Sequence, residues 1–313
     1  MNPVRGRGSI SVVVPVYRSS RSLTELIERL IAVLEPTGRE YELVLVDDSS
    51  PDDSWAVLER ERERHGSRVK IASLTRNRGQ HNAVLCGFTL ATGDIVVTMD
   101  DDLQNPPEEL PRLVSAIDEG FDLSIASYES KQHTRTRNTS GRLIDRLIRR
   151  MFGLPPDFAL TSFRAAEGAL VAKAQSMSGV YPYVTCMLLA HSARPTNVAV
   201  RHDPRPYGSS TYSINRSLSL AANLLFSYST APARGVALLG VVGVVAAVMA
   251  GLVTLIIAVT SPTVPGWVST LVVVTGSNAI TLTCLTILAV YVGRMSRSQS
   301  EVQQRFTIRE LRD

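Results

Sequence analysis

Residues 94–102 read DIVVTMDDD, a short apolar run that stops abruptly in three carboxylates. The apolar part is continuous rather than alternating, the pattern of a strand covered on both faces. Working outward, the same pattern recurs. Ile10–Val16 (ISVVVPV) is a second continuous run, followed by a helical pattern that puts Leu23, Leu26, Ile27, Leu30, Ile31 and Leu34 on one face. Tyr41–Val46 (YELVLV) is a strand ending in Asp47-Asp48, and Pro51–His65 is a charged helix. Val69–Leu74 is a third strand, Gly79–Leu90 a helix, Asp94–Met99 the fourth strand, Pro107–Asp118 a helix and Phe121–Ala126 a fifth strand. Strands separated by helices imply right-handed crossovers and a mainly parallel, Rossmann-like α/β sheet. Ligands of such sheets bind beyond the carboxyl ends of the strands, where both acidic clusters, 47–48 and 100–102, are expected.

The charge distribution divides the chain. It has 313 residues with 33 Lys+Arg against 29 Asp+Glu, a net charge of +4, yet Gly235 to Gly293 contains no Asp, Glu, Lys, Arg or His. A wholly soluble domain does not leave such a stretch uncharged, and disorder is excluded on the same ground. The stretch is expected to form a transmembrane hairpin over 233–293. Its helices would run at about 235–259 and 267–291, since about 20 helical residues cross a bilayer. Two prolines in 260–266 break it, and Trp267 and Tyr291 stand where interfacial aromatics belong. Thr275, Ser277, Asn278, Thr281 and Thr283 in the second span are expected to face the first helix or a neighbouring chain. Arg234, Arg294 and Arg297 flank the pair while the turn is uncharged, which puts both ends in the cytoplasm. Met1–Ser9 lacks the apolar core of an export signal, so the first domain, 1–211, is expected on the cytoplasmic side. Residues 294–313 are expected as a cytoplasmic tail.

Two amphipathic stretches carry alternatives. Arg142–Phe152 sets Leu143, Ile144, Leu147, Ile148 and Met151 against Arg142, Arg146, Arg149 and Arg150. Tyr212–Tyr228 shows Ile214, Leu218, Ala221 and Leu225 at helical spacing. Each either packs on the sheet or lies in the membrane plane, and 212–232 is assigned as an interfacial helix. Aromatic interleaving is missing, which speaks against nucleic acid. The three cysteines, Cys86, Cys186 and Cys284, imply no disulfide framework, and His65, His133 and His191 show no zinc-ligand spacing.

The acidic triplet carries the chemistry. Three adjacent carboxylates repel one another unless a cation neutralises them. Mg2+ or Mn2+ takes one or two carboxylates plus substrate phosphates. At a strand end Asp100 and Asp102 point one way and Asp101 the other. That nominates Asp100 and Asp102 to grip a metal–diphosphate; the bland reading is a solvated acidic loop.

SVVVPVY, LVDDSSPDDS, TRNRGQHNAVLCGFTLATGD and MDDDLQNPPEELPRLV resemble the inverting family 2 glycosyltransferases of the GT-A fold. Within them the chain resembles the undecaprenyl- and dolichyl-phosphate sugar transferases, whose catalytic domain is followed by two membrane helices. The resemblance spans residues 9–300. It implies transfer of a sugar from a nucleotide-sugar donor to a polyprenyl phosphate at the inner membrane, for envelope glycan modification, by an enzyme of a group that often forms tetramers. It places Pro15, Tyr17, Asp47 and Asp48 near the nucleotide, Asp100, Asp101 and Asp102 at sugar-nucleotide and metal, and Gln104 in the metal shell. Arg137 and Arg205 match phosphate-contacting arginines, a role suited to the guanidinium fork. The chain departs from the pattern at four places. Arg18-Ser19-Ser20 replaces a glutamate after P-x-Y, Tyr128 a loop arginine, Thr211 a lysine, and Ser162 a carboxylate. A phosphate acceptor is already largely a dianion at neutral pH and needs no general base, so serine at 162 is compatible with phosphate and not with an alcohol. His81 is a cap, a packing residue or a donor contact, and His202-Asp203 would line the acceptor entry. The alternatives are a family 2 transferase with a non-phosphate acceptor and a catalytically silent membrane scaffold.

Overall fold

The computed structural model describes residues 8–128, 139–177, 181–204, 220, 223–225, 227–229, 231–260 and 306–313, with scattered positions in 266–292. Strands β1 (Ile10–Val16), β2 (Tyr41–Asp47), β3 (Val69–Leu74), β4 (Ile95–Thr98), β5 (Leu123–Tyr128), β6 (Arg164–Glu167), β7 (Pro195–Val200) and β8 (Ile308–Arg312) form one sheet in the order β7-β5-β6-β4-β1-β2-β3-β8. β1 lies parallel between β2 and β4, β2 pairs parallel with β3, and β5 with β7. β6 runs antiparallel to both β4 and β5, and β8 antiparallel to β3. The sheet is therefore mixed rather than mainly parallel. The reason is β6, which wedges between β4 and β5 where a simple crossover would have made them neighbours.

All seven residues of β1 are buried, because both faces of the sheet are covered. Val12, Val14 and Val16 join one core with α1 (Leu23–Leu34), α2 (Ser54–His65) and α4 (Leu110–Asp118). Val13 joins the other with α3 (Gln80–Leu90), α5 (Thr139–Phe152), α6 (Gly168–Ser176) and α7 (Val184–Leu189). Alternate side chains of one strand thus feed opposite cores, which is why the sequence reads as an unbroken apolar run. α5 belongs to the second core, with Ile144 and Ile148 buried and Arg146 and Arg150 exposed. Its apolar face is spent on the sheet and not on a membrane plane. Of the 212–232 segment, Leu224 is buried, Leu220 and Tyr228 pack on the same core, and the Tyr228 hydroxyl donates to the Tyr181 carbonyl at 2.7 Å.

α8 (Ala231–Thr260) is a single helix of 30 residues. Its described side chains leave Leu238, Val241, Val245, Met249 and Ile256 more than half exposed. At Gly243 it touches the second apolar segment, where an added Cβ would stand 2.6 Å from Ile280 Cγ2. Counted over the described residues alone, no helix is long and apolar enough to cross a membrane. Three hydroxyls of the second segment bond back within it: Ser277, Thr281 and Thr283 donate to Val274, Ser277 and Ala279 carbonyls at 2.7–3.2 Å, as serine and threonine in a helix do. Trp267 and Tyr291 lie outside the described residues.

The 294–313 stretch, expected as a tail, ends in β8. The Thr75 amide donates to Thr307 at 2.9 Å, and Arg312 pairs with Glu59 at 2.5 Å. Arg62 reaches the Asp313 carbonyl, and Phe306 and Ile308 pack on the second core.

α3 crosses β1 closely enough that a Cβ on Gly87 would overlap the Val13 Cγ1 methyl. Gly87→Ala is expected to destabilise the fold by about 1–3 kcal/mol through overpacking, read as a lower urea midpoint with an unchanged slope.

Candidate active site

Four loops meet at the carboxyl edge of β1–β4. Each contains a residue with positive φ: Arg18 (57°) after β1, Ser49 (56°) after β2, Gly79 (87°) after β3 and Leu103 (61°) after β4. A leucine in this region is strained. Leu103 is held there because its side chain is buried in the first core. Such strain concentrates where loops must present groups in fixed directions.

Within the acidic triplet, which follows the end of β4 at Thr98, Asp100 and Asp101 take bonds from different loops. Asp101 turns back to the β1 loop, where its Oδ2 accepts from the Tyr17 amide at 2.9 Å and the Ser19 hydroxyl at 2.5 Å. Ser22 adds a bond to the Asp101 carbonyl at 2.8 Å. Asp101 therefore ties the loop after β1 to the loop after β4. Ser19, in the segment where the family's glutamate is missing, is one of its partners. Desolvation, with Asp100 and Asp102 beside it, pushes the Asp101 carboxyl up to about 6.

Asp100 faces the other way and accepts from Gln80 Nε2 and from the Ser162 hydroxyl, both at 2.5 Å. Asp102 is half-buried, and its Oδ1 accepts from the Gln104 amide at 3.1 Å. The Gln104 carbonyl in turn accepts from the Asp203 amide at 2.9 Å, which brings 202–203 to the site. Among the described residues no group of three or more His, Cys, Asp or Glu could hold a metal ion. What stands at the end of β4 is a sparse set of oxygen donors.

Pro15, next to last in β1, stands beside the cavity described below, and Tyr17 is 41% exposed. Asp47 and Asp48 are buried. Asp47 accepts from the Ser50 amide at 3.1 Å and the Ser73 hydroxyl at 3.1 Å. Asp48 accepts from the Arg78 and Gly79 amides, both at 2.7 Å. Burial raises the Asp48 carboxyl above the usual range despite those bonds. Both carboxylates thus fasten neighbouring loops. Arg137 and Arg205, with Thr211, lie outside the described residues. Tyr128, at the position of the family's loop arginine, donates to Asn105 Oδ1 at 2.7 Å and stacks on His202 at 4.0 Å.

Three residues enter the site that sequence reasoning did not assign to it: Gln80, Arg164 and Tyr183. Only Gln80 had a signal, its place in the RGQH run. Arg164, two residues after Ser162, is not singled out by the sequence, and Tyr183 carries no signal. His81 packs its ring against Tyr183 at 4.6 Å, and burial lowers its pKa to about 4, so the imidazole is neutral at physiological pH.

A family model described as glycosyl transferase family 2 matches residues 11–172. The undecaprenyl-phosphate 4-deoxy-4-formamido-L-arabinose transferase of Edwardsiella ictaluri is 36% identical over 231 residues, covering 74% of this chain and 71% of that protein. The protein of the same name from an Enterobacter species is 37% identical over 240 residues, covering 77% and 73%. Among solved structures, mannosyl-3-phosphoglycerate synthase from Rubrobacter xylanophilus superposes with a TM-score of 0.52 at 16% identity, covering 70% of this chain and 72% of that one. Glucosyl-3-phosphoglycerate synthase from Mycobacterium tuberculosis, in its complex with Mn2+, UDP and glucosyl-3-phosphoglycerate, gives 0.50 at 22% identity, covering 71% and 80%. These two share the fold, a GT-A-like α/β mixed sheet.

The raised Asp101 carboxyl has a consequence for stability. Between the unfolded value near 3.8 and the folded value of about 6, the folded chain binds more protons, so stability falls as pH rises through that window. Asp101→Asn keeps the acceptor for Tyr17 and Ser19 and removes the charge. In EDTA it is expected to raise the melting temperature at pH 7.5 and flatten the decline between pH 4 and 6. A lower melting temperature at pH 7.5 contradicts the assignment.

Proposed function

The chain belongs to glycosyl transferase family 2, and on that premise we propose that it transfers a sugar from a nucleotide-sugar to a polyprenyl phosphate, inverting the anomeric centre. The observation that carries the acceptor is Ser162. Where many relatives place a carboxylate this chain has a hydroxyl, and that hydroxyl is turned onto Asp100 at 2.5 Å. An alcohol acceptor needs a base there, whereas a phosphate monoester, with a second pKa of about 6, arrives already deprotonated. The attacking phosphate oxygen forms the bond to the anomeric carbon as the diphosphate leaves with the electron pair.

The donor set fits a hard cation that completes its shell from phosphate and water, because one or two carboxylates suffice for Mg2+ or Mn2+. Asp102 and Asp100 would hold it with Gln104. Bound there, it supplies positive charge against the departing diphosphate. Asp101 keeps the Pro15–Tyr17 loop in place for the nucleotide, with Asp47 and Asp48 fixing the loops on either side. Arg137 and Arg205 are assigned to the phosphates of donor and acceptor.

The membrane reading is supported by two features. The described face of α8 exposes large apolar side chains over much of its length, more than a soluble monomer tolerates. The chain that leaves the domain through α8 also comes back to it as β8. A polypeptide that leaves and returns on one side of a bilayer crosses it an even number of times, so two crossings are the economical topology. The flanking Arg234, Arg294 and Arg297 favour the cytoplasm as that side.

Transfer of labelled sugar into undecaprenyl phosphate in a lipid extract tests the reading. Asp102→Ala is expected to lower this rate at least about a hundredfold, the scale of losing several kcal/mol of charge stabilisation; full activity overturns the catalytic role. Ser162→Asp is expected to lower turnover as well, since it sets a further carboxylate against Asp100. A rise in turnover shows that a base was needed and that the acceptor is not a phosphate.

A further inference from the structure

Beside Asp100 lies a cavity of about 230 Å3, walled by Gln80, His81, Ser162, Arg164, Tyr183 and Thr185 among others. It is smaller than the 300–1,000 Å3 typical of drug-sized ligands, which suits a single sugar ring better than a nucleotide or a prenyl chain. Its least ordinary wall is Arg164. β6 places this residue opposite Thr98 of β4, and only 3% of it is exposed. Its Nε donates to the Thr98 hydroxyl at 3.0 Å and its Nη1 to the Thr185 hydroxyl at 2.7 Å. Both partners are neutral, and among the described residues no carboxylate stands within ion-pair distance of it. Asp100 acts on it only through its field, and burial brings its pKa down to about 10, which leaves it charged.

A buried guanidinium held by two hydroxyls is expensive to maintain, and two bonds use two of its five N–H donors. An ammonium brought into the same cavity would face that charge across a desolvated space, where like charges repel strongly. The neutral His81 ring on Tyr183 offers no counter-charge. Asp100 is already engaged by Gln80 and Ser162 and, with the donor bound, by the cation it would hold, so its charge does not offset the guanidinium for an incoming ammonium. A ring bearing hydroxyl or carbonyl acceptors meets all these conditions.

We propose that Arg164 is a specificity-determining residue for the donor: it admits uncharged sugars rich in hydrogen-bond acceptors and rejects sugars that carry an ammonium group. The inference rests on the donor reading above and adds to it the charge class of the sugar.

The full chain in detergent with Mn2+ provides the test, by displacement of labelled UDP with UDP-glucose and UDP-glucosamine. At pH 6.5 the amine, with a pKa of about 8, is protonated, and UDP-glucosamine is expected to bind at least about tenfold more weakly than UDP-glucose. At pH 9 the difference should close. In Arg164→Met the tenfold difference at pH 6.5 should shrink to about twofold or less. Arg164→Gln, which keeps a planar donor without the charge, should do the same and serves if the methionine variant does not fold. A merely structural arginine leaves the pH-dependent ratio unchanged in whichever variant folds, and that result, or equal binding of the two sugars at pH 6.5, overturns the proposal. A protein that shows the ratio but puts no sugar on undecaprenyl phosphate refutes the acceptor and leaves the selector standing. A protein that does not bind UDP with Mn2+ refutes both.

Discussion

The constraint on which the structure depends is that β1 is buried on both faces along its whole length. Helices on each side of the sheet exclude water from the strand backbones, so the polar groups of this protein can act only where the strands end. That is why the carboxylates gather at one edge, and why they sit on loops with strained backbone. Each loop is clamped by packing below it, as Leu103 is by the first core, and is free only above the sheet.

Within that edge the carboxylates divide the work. Asp47, Asp48 and Asp101 point into the protein and accept bonds from neighbouring loops. Asp100 accepts from Gln80 and Ser162 beside the cavity, and Asp102 from the Gln104 amide. Under the proposed function, ligands of a metal–diphosphate must not move while charge develops. The three inward carboxylates would supply that fixity. A run of acids that looks redundant on paper therefore contains two kinds of residue. Asp101 shows the cost of the arrangement, since its charge is held close to two others and away from water.

How much of this was legible in the sequence follows from what each element buries. The expected bounds of β1 and β3 match the observed ones: β1 is a nearly continuous apolar run, buried on both faces, while β3 (VKIASL) keeps a mostly apolar character around Lys70 and Ser73. β6 was not read. RAAE is four residues long, too short for any period, and its meaning lies in Arg164, whose burial nothing local announces. β8 was missed for a different reason. IRELR is mostly charged, with apolar residues only at 308 and 311, a spacing that fits no strand period, and its strand form comes from pairing with β3. The apolar face of α5 was visible while its partner was not, since sequence periodicity cannot tell a sheet from a membrane surface. At the site, alternation led to the expectation that Asp100 and Asp101 take different headings, and their bonds do go to different loops, although β4 ends at Thr98. The inward bonds of Asp101 depend on where a loop some eighty residues earlier comes to rest.

The return of the chain as β8 has a mechanical consequence under the proposed topology. A domain joined to a bilayer at one point swivels about its tether and samples every heading. Here the sheet is held at two separated places, through Leu224 and Tyr228 at the departure into α8 and through β3 at the return. Two attachments remove the free rotation that one allows. The mouth of the site then keeps a constant bearing toward the lipid surface, and an acceptor that diffuses in two dimensions meets it in the same pose at each encounter.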